Sequence, residues 1–470
     1  MDHLLTPKIK TLLYDLIVPL NPGVPVELLL LVLETKLAHV LTFEKFVLNT
    51  PLSDDLIPVN MYSLVLYRSG GGKNRIIKQI DGYLLSRWKE KIQREWKDYE
   101  SNKIETLQSE AEKKYAGLKT KQAEYIDYFM PRAVLSVMND MTVEGFISQR
   151  EMLQDWGKGS TLLVLDEFED YFLSQDKYRS AALSILKSVY DTGDYEPKGI
   201  KGEKEGITTL GIASNCLFTA SLTRITTGFG FKKMNNMLLS GYARRCFVSV
   251  PDLPPAPSRE DNVKQLEVTQ KYKGLKIELM DQIDAIVQKE KEISIAPDAL
   301  DFVIDWKTDA GVKARTVSGE VENIAIEHMW WRTLKLAGVM AAVETEGKEI
   351  VITLDIIKAA KAQALFFHQQ MKKLLVESNE IYVIYDFIKG SPGVSTMQIR
   401  EQPFCPDKNT WKRWWDEAIE VLKEYCETKG EIFHIEKFGK RGRKYYVFTP
   451  EKLNLFLNVK SNGGDEQSQP

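Results

Sequence analysis

Cysteine and histidine are scarce in this sequence. The 470 residues include four cysteines and five histidines, and the cysteines show no Cys-x-x-Cys spacing. So few and so scattered thiols and imidazoles argue against a disulfide framework and against a zinc site. The residues concerned are Cys216, Cys246, Cys405 and Cys426, and His3, His39, His328, His368 and His434.

Long apolar runs and a strong net charge are missing as well. The longest apolar candidate, 26–32, is far shorter than the ~18 residues that cross a bilayer. Residues 1–7 lack the basic start and small-residue cleavage site of a signal peptide. We therefore expect a cytoplasmic protein, in the host cytoplasm if it is viral, with no membrane partner. Because the net charge is only −3, a nucleic-acid surface must be a local patch.

Length and composition predict several folded parts. A chain of 470 residues corresponds to roughly three domains, and 43% hydrophobic with 27% charged residues is typical of a soluble protein with large cores. A proline-rich break at Pro251–Ser258 marks a domain boundary. The predicted parts are an N-terminal helical region (1–56), a core with a sheet (57–255), a helical lid (256–376), a small C-terminal domain (377–450) and a disordered tail (451–470).

A glycine-rich loop between a strand and a helix is the first chemical feature. Leu64–Tyr67 is predicted to be a short buried strand, and Ser69–Gly72 can turn freely before a helix begins. Such a loop aims backbone N–H groups and a helix N-terminus at one point, where Lys73 adds a charge that favours phosphate. The match to Gly-x-x-x-x-Gly-Lys-Ser/Thr is incomplete, since Tyr67 replaces the first glycine and Asn74 the hydroxyl. An ordinary glycine turn with one solvated lysine is the alternative.

An apolar run that ends in two carboxylates is the second feature. Leu162–Leu165 is continuously apolar, as in a strand that is buried on both faces of a parallel sheet. Asp166 and Glu167 would then stand at the carboxyl edge of the sheet, where ligands bind in open α/β folds. We expect Asp166 to hold Mg²⁺, directly or through water, and Glu167 to orient and deprotonate an attacking water.

Polar residues are also predicted at the ends of two further strands. A buried strand is expected over 207–214, so that Asn215 follows it and contacts a γ-phosphate or the attacking water; a turn residue is the alternative. Arg244 and Arg245 precede an expected strand at Cys246–Val250, and arginines are costly to bury without an anion. One of them is a candidate arginine finger for a neighbouring subunit, and a structural ion pair is the other interpretation.

Two long helical patterns accompany these strands. Apolar residues recur at helical spacing from Arg75 to about Tyr128, with charged residues on the other faces, which predicts a charged surface helix. A solvated arm, or a helix that packs on a neighbouring subunit, is the alternative. The pattern is helical again from Arg259 to Leu375. That region has the size and position of a lid over a nucleotide, from which Arg332 would reach a phosphate.

Basic residues on two loops and in the C-terminal part are candidates for DNA contact. The loops 191–204 and 226–233 carry lysines, which suit single-stranded nucleic acid; solvated loops are the alternative. Between 377 and 450, three helices and a hairpin with a basic tip predict a winged helix, a domain that binds DNA or protein. The candidate residues are Lys198, Lys201, Lys204, Lys232, Lys233, Lys412, Arg413, Lys440, Arg441 and Arg443.

In their order along the chain, these motifs resemble one group of ATPases. It comprises the helicase-type domains attached to phage and plasmid primases, which are related to superfamily 3 and AAA+ helicases. The resemblance covers about residues 25–375. Besides the glycine-lysine loop, the charged helix and the strand that leads to Glu167, it rests on the short motifs Thr142–Glu144, Tyr190–Gly193, Ala213–Asn215 and Ser240–Arg245.

The resemblance implies an α/β fold with a P-loop core of the additional-strand, catalytic-glutamate (AAA+-like) type. It also implies a ring, a homo-hexamer, that binds ATP and Mg²⁺ between subunits and DNA in its channel. Catalytic roles would fall on Glu167, Asn215, Arg244 and Arg245; nucleotide binding on Ser69, Gly70, Gly71, Gly72, Lys73, Asn74 and Arg332; and metal binding on Asp166 and Asn74.

The sequence therefore predicts an ATP-dependent replicative DNA helicase of phage or mobile-element type that translocates on single-stranded or forked DNA. A DNA-binding initiator or helicase loader that uses ATP as a switch is the alternative, and a degenerate ATPase fold that binds a protein is a third reading. Asn74 departs from the family's Ser or Thr, so slower turnover is expected. A primase domain is not recognised, so a separate primase or polymerase is an expected partner.

Overall fold

The computed structural model describes most of the chain, which forms two compact units. Described are residues 4–67, 73–129, 137–138, 142–173, 177–196, 208–222, 225, 229–252, 257–317, 320–377, 380–402, 411, 415, 418–419, 422–423, 426–427, 430–437 and 443–462. The first unit combines residues 1–221 with 237–371, and the second combines 222–236 with 372–470. The N-terminal region, the core and the lid therefore fall almost entirely within the first unit.

The helices of the described residues range from 3 to 29 residues in length. They are α1 (Pro7–Thr11), α2 (Val18–Leu20), α3 (Val26–Phe43), α4 (Lys73–Leu84), α5 (Ser86–Lys114), α6 (Lys119–Phe129), α7 (Val143–Trp156), α8 (Glu169–Leu173), α9 (Lys177–Ser188), α10 (Phe229–Met237), α11 (Arg259–Val287), α12 (Pro297–Ala314), α13 (Glu320–Glu327), α14 (Met329–Glu344), α15 (Leu354–Glu377), α16 (Glu380–Gly390), α17 (Thr396–Arg400) and α18 (Pro450–Asn462), with π-helical turns at Leu12–Ile17 and Leu238–Tyr242. A capping box between Ser258 and Asp261 starts α11, and Gly157, in the left-handed region, ends α7. Within the described ranges, no helix combines the length and apolar character that crossing a bilayer requires.

The strands of the described residues form three sheets. They are β1 (Val47–Leu48), β2 (Ile57–Pro58), β3 (Tyr62–Tyr67), β4 (Val137–Met138), β5 (Ser160–Leu165), β6 (Ala213–Ser221), β7 (Cys246–Ser249), β8 (Glu292–Ile295), β9 (Ile350–Ile352), β10 (Val394–Ser395), β11 (Ile432–Lys437) and β12 (Arg443–Phe448). The strand orders are β2-β1-β8-β9, β4-β5-β6-β3-β7 and β10-β12-β11. Every pairing in the five-stranded sheet is parallel, which confirms an α/β fold with a parallel sheet.

The inner strands of this parallel sheet are buried along their whole length. Every residue of β3, β5 and β6 is buried, and Leu162–Leu165 lies in β5 as predicted. The strand expected over 207–214 is wrong in its bounds, because β6 begins only at Ala213. Before it, Thr209 pairs with Tyr195 and Gly211 takes a φ of 66°, so the chain turns there before it enters the sheet.

Helix α3 covers one face of the parallel sheet. It contacts β3, β5, β6 and β7, and its residues are buried from Leu28 to Phe43. The hydroxyls of Thr35 and Ser63 lie 2.8 Å apart and join the helix to β3. On the other face, the Tyr62 hydroxyl donates a 2.7 Å hydrogen bond to a carbonyl of α9. Both faces are thus covered, as a parallel sheet requires.

The single long helix expected from Arg75 to Tyr128 is divided in the structure. Its first part is α4, and α5 and α6 contact each other as a helical hairpin. Gly117, with a φ of 77°, supplies the left-handed turn between the two helices. Leu107 and Ala111 are buried on α5. The spacing of apolar residues predicts helix correctly here but does not reveal where the chain reverses.

The second unit contains the small C-terminal elements in the predicted order. Helices α16 and α17 precede described helical positions between 411 and 427, and the strands β11 and β12 pair as an antiparallel hairpin. Trp411 stacks on Trp415 with centroids 5.4 Å apart, and the Trp415 indole donates to the Tyr445 hydroxyl. The prediction of a disordered tail from residue 451 is wrong up to Asn462, because α18 forms there and Phe456 lies against Phe448.

Glu34, on α3, has a completely buried carboxyl group. Its two oxygens accept hydrogen bonds from the Gln363 amide at 2.8 and 2.7 Å. Burial raises the pKa of Glu34 to about 8 from an ordinary value of 4.5, because a carboxylate loses its hydration there, and the Gln363 bond lowers it only in part. The folded protein therefore keeps this proton at neutral pH.

We expect Glu34→Gln to flatten the dependence of stability on pH. Between the unfolded pKa of 4.5 and the folded pKa of about 8, the unfolded chain has released a proton that the folded chain retains. Stability must fall as pH rises through this window, by at most about 1.4 kcal/mol per pH unit. Urea unfolding at pH 5.5 and 7.5 measures the slope. Glu27→Gln, on the same helix, is the control and should keep the wild-type slope; an unchanged slope in Glu34→Gln would contradict the expectation.

Candidate functional site

The carboxyl ends of three parallel strands meet at one edge of the five-stranded sheet. β6 lies between β3 and β5. Tyr67, the last residue of β3, pairs with Ser221, and Leu165, the last residue of β5, pairs with Phe218. Two strand spacings, about 10 Å, therefore separate β3 from β5 across the sheet, and β3 extends further along the strand direction, because Leu64 and Leu165 both pair with Phe218. This edge is where open α/β sheets bind ligands.

Asp166 is held in place by the neighbouring strand. The Thr219 hydroxyl donates a 2.6 Å hydrogen bond to Asp166 Oδ1, and the Phe168 backbone N–H donates to the Thr219 carbonyl at 2.9 Å. The Phe168 ring stacks on Phe218 with centroids 4.0 Å apart. The turn after β5 thus has several links to β6, and Asp166 keeps one orientation.

Glu167 lies at the tip of this turn with its side chain exposed. Its φ is 50°, a left-handed conformation that costs a residue with a Cβ about 1–3 kcal/mol. Two residues later, the completely buried Glu169 accepts a hydrogen bond from the Ser221 N–H at 3.2 Å. The turn is thus anchored on both sides of Glu167, and such over-determined strain is typical of functional sites.

The glycine loop connects this edge to α4. Ser69, Gly70, Gly71 and Gly72 lie outside the described residues, as do the side chains of Lys73 and Asn74. α4 begins at Lys73, six residues after β3 ends. A strand and a helix therefore flank the loop as predicted, and the N-terminus of a 12-residue helix lies beside it.

A metal site is not assembled by the described residues alone. Among them, no group of three or more His, Cys, Asp or Glu side chains converges on one point. Mg²⁺ in nucleotide sites is commonly held by one or two carboxylates together with phosphate oxygens and water. Asp166, with an orientation set by Thr219, is compatible with that mode.

Asn215 is not at the carboxyl edge, so the sensor role predicted for it is wrong. It is the third residue of β6 and is completely buried. Its amide oxygen accepts from the Met61 N–H at 2.9 Å, and its amide nitrogen donates to the Thr42 hydroxyl at 2.7 Å. It therefore joins α3 to the amino end of the sheet. Thr219 and Ser221, further along the same strand, occupy the edge where a sensor was expected.

The paired arginines lie at the opposite, amino edge, immediately before β7. Arg245 is buried and donates to the Gly241 carbonyl at 3.0 Å and to Asp191 at 3.5 Å. Of the two interpretations, the structural ion pair is therefore the correct one for Arg245. Arg244 is only half-buried. Within the part of the chain that the structure describes, its guanidinium has neither an ion pair nor a hydrogen bond. Of the two, Arg244 is the one available to a partner.

Arg332 does not face a phosphate site, and the role predicted for it is wrong. Its side chain is fully buried on α14 and donates to the carbonyls of Ala243 and Cys246 at 2.8 and 2.6 Å. The guanidinium also lies over the Phe247 ring at 5.3 Å. Burial lowers the pKa of Arg332 to about 10, so it remains charged at neutral pH. It joins α14 to the chain that enters β7.

Most of the candidate DNA-binding residues lie outside the described part of the chain. Arg443 begins β12 and is exposed, and Lys233 is partly buried on α10. The positions outside the described residues are Lys198, Lys201, Lys204, Lys412, Arg413, Lys440 and Arg441, together with the side chain of Lys232.

The sequence interpretation missed the residues of β6 that hold the turn with Asp166 and Glu167, called here the carboxylate turn. Thr219 and Ser221 were overlooked because the strand was expected to end before them. A usable signal exists, since the run from Cys216 to Phe218 is apolar and a hydroxyl residue follows it.

We expect Arg332→Met to lower stability without changing any nucleotide affinity. The change leaves the buried carbonyls of Ala243 and Cys246 without their donor, which should cost about 2–4 kcal/mol. Urea unfolding measures the loss, and ATP titration of the folded protein should give the wild-type affinity. Arg315→Met, an exposed arginine, is the matched control and should change neither quantity. If Arg332→Met instead weakens ATP binding and leaves stability unaltered, the phosphate-binding role predicted for Arg332 would be supported.

Comparisons with known proteins give no assignment. No protein-family model matches the sequence, and no curated protein matches it significantly. The function of this chain must therefore be argued from the geometry of its own residues.

Proposed function

We propose that this chain is an ATPase that drives the unwinding of DNA. The observation that carries the proposal is the strand order β4-β5-β6-β3-β7. The strand before the glycine loop is separated by one inserted strand from β5, which Asp166 and Glu167 follow. An inserted strand in this place is what the additional-strand ATPases, the group that the sequence motifs resemble, would require.

Each residue at the carboxyl edge has a role in this proposal. Lys73, at the start of α4, adds its charge to the helix N-terminus and binds the β- and γ-phosphates. Glu167, exposed beside the anchored Asp166, orients a water and accepts its proton. Thr219 fixes Asp166, and Ser221 lies where a polar group would contact the γ-phosphate or the attacking water. The backbone strain at Glu167 is consistent with a carboxylate that must point away from the sheet.

Mg²⁺ fits this site through Asp166, with Asn74 as a second oxygen donor. The ion would neutralise charge on the phosphates of ATP. Asn74 offers an amide oxygen in place of the usual hydroxyl, so a turnover slower than that of a typical phosphate loop is part of the proposal.

A ring of subunits is proposed from the position of Arg244. It lies at the amino edge of the sheet, which is about 15–20 Å from the carboxyl edge for strands of six residues. It therefore cannot serve the phosphate loop of its own chain, whereas a neighbouring subunit can present its loop to this edge. An arginine supplied in this way stabilises charge in the transition state.

DNA contact is proposed for the second unit. Its helices and antiparallel hairpin follow the order of a winged helix, and the exposed Arg443 stands where the hairpin turn joins β12. A basic turn of this kind contacts phosphate. Replication of a phage or mobile element, with a separate primase or polymerase, is the proposed setting, as the sequence resemblance implies.

We expect Lys73→Ala and Glu167→Gln each to reduce ATP hydrolysis at least ~100-fold, because a phosphate-binding charge and a general base contribute this much or more. Steady-state phosphate release measures hydrolysis. Asn74→Ser is the matched control, since it restores the usual hydroxyl and should retain or increase the rate. Wild-type rates in both Lys73→Ala and Glu167→Gln would rule out the site. DNA-stimulated hydrolysis without displacement of a strand from a forked duplex would favour the helicase loader.

We expect Arg244→Ala to be inactive alone but complementary to Glu167→Gln. If each site takes Glu167 from one subunit and Arg244 from the next, an equal mixture should recover about one quarter of the wild-type rate. Hydrolysis by pre-mixed subunits measures this recovery. Arg315→Ala, which alters an exposed arginine elsewhere, should be fully active alone. A mixture as inactive as its components would show that Arg244 does not act between subunits.

A further inference from the structure

A cavity of about 380 Å³ opens at the amino edge of the parallel sheet, within the first unit. Its volume is in the range of pockets that hold small molecules. The lining includes Asp191, Arg244, Lys307, His328, Trp330 and Trp331. None of the roles proposed above for ATP uses the last four of these residues.

Two indole rings form an aromatic wall in this cavity. The rings of Trp330 and Trp331 are 5.2 Å apart in an edge-to-face arrangement. The Trp331 indole N–H donates a 3.0 Å hydrogen bond to Asp191, which holds this ring in place. The Lys307 ammonium lies over the Trp330 ring at 4.7 Å. An aromatic face beside a cation suits a planar ligand that carries negative charge.

The cavity carries more positive than negative charge. Asp191 is already engaged by Arg245 and Trp331. In the described part of the chain, neither Arg244 nor Lys307 has a carboxylate within ion-pair distance. Burial and the nearby charge of Arg245 lower the pKa of Arg244, because both disfavour the charged guanidinium. An anion beside Arg244 would stabilise that charge.

The backbone adds to this positive potential. α14 has 16 residues and begins at Met329, so its N-terminus lies among the lining residues His328, Trp330 and Trp331. The first N–H groups of a helix carry partial positive charge and can donate to an anion; of these, the Trp331 N–H already donates to the His328 carbonyl at 3.2 Å. Burial lowers the pKa of His328, with Arg244 adding to the effect, which favours the neutral imidazole.

We propose that this cavity binds a small phosphorylated planar ligand of the nucleoside monophosphate class, separately from the phosphate loop. The base would stack on the face of Trp330 that the Lys307 ammonium covers, and Lys307 would turn with Arg244 toward the phosphate beside the N-terminus of α14. The same chemistry has a second source, because the nucleotide held by a neighbour's phosphate loop would approach this edge if subunits assemble as proposed. The two sources differ in their dependence on Lys73.

Calorimetric titration of Lys73→Ala protein with AMP tests the proposal. AMP should bind, whereas adenosine and inorganic phosphate should each bind at least ~10-fold more weakly, because stacking and charge pairing are both needed. Added to Lys73→Ala, Lys307→Gln and Trp330→Leu should each weaken AMP binding about tenfold. Lys313→Gln, an exposed lysine on the same helix as Lys307, is the matched control and should leave the affinity unchanged.

Two results would overturn the proposal. One is that AMP binds wild-type protein but not Lys73→Ala, which would assign the ligand to the phosphate loop. The other is that Lys307→Gln and Trp330→Leu bind AMP as tightly as their parent. Lys307 is exposed, so its substitution should not disturb folding, and thermal unfolding of each variant checks this. Because the cavity variants are compared with their Lys73→Ala parent, their outcome does not depend on whether the chain hydrolyses ATP.

Discussion

A parallel sheet must be covered on both faces, and in this protein α3 provides the cover for one face. Because 16 consecutive residues of that helix are buried, its polar side chains need partners inside the core. Thr42 receives the Asn215 amide, Lys36 pairs with Asp81 at 2.8 Å, and Glu34 binds Gln363. The position of the sheet, and with it both of its edges, depends on this one buried helix.

The two edges of the sheet are built for different tasks. At the carboxyl edge, β6 holds a strained turn that exposes Glu167. At the amino edge, buried cations organise the chain, and Lys335 donates to the carbonyl of Tyr190 and to Asn60. Burial lowers the pKa of Lys335 to about 7, because the ammonium loses its hydration there. Arg244 is only half-buried and lines the cavity at this edge together with Lys307.

The sequence predicts the carboxylate turn, with Asp166 and Glu167, but it does not predict the residues of β6 that hold this turn in place. A continuous apolar run followed by Asp166 and Glu167 is a local pattern, because a strand buried on both faces leaves no polar position before its end. The link from Thr219 to Asp166 joins residues 53 positions apart and leaves no such pattern. Asn215 was misjudged for a related reason, since the start of β6 is set by the turn at Gly211 and not by hydrophobicity.

The sequence by itself determined the α/β class, the strand and helix on either side of the glycine loop, and the helical segments and hairpin of the second unit. These follow from periodicity and from glycine and proline, which act over a few residues. Only the tertiary structure decided that Arg332 is a buried anchor, that Arg245 pairs with Asp191, and that Trp330 and Lys307 share a cavity. The role of a buried arginine or a partly buried tryptophan depends on which distant carbonyl or charge the fold brings to it, and no local pattern encodes that choice.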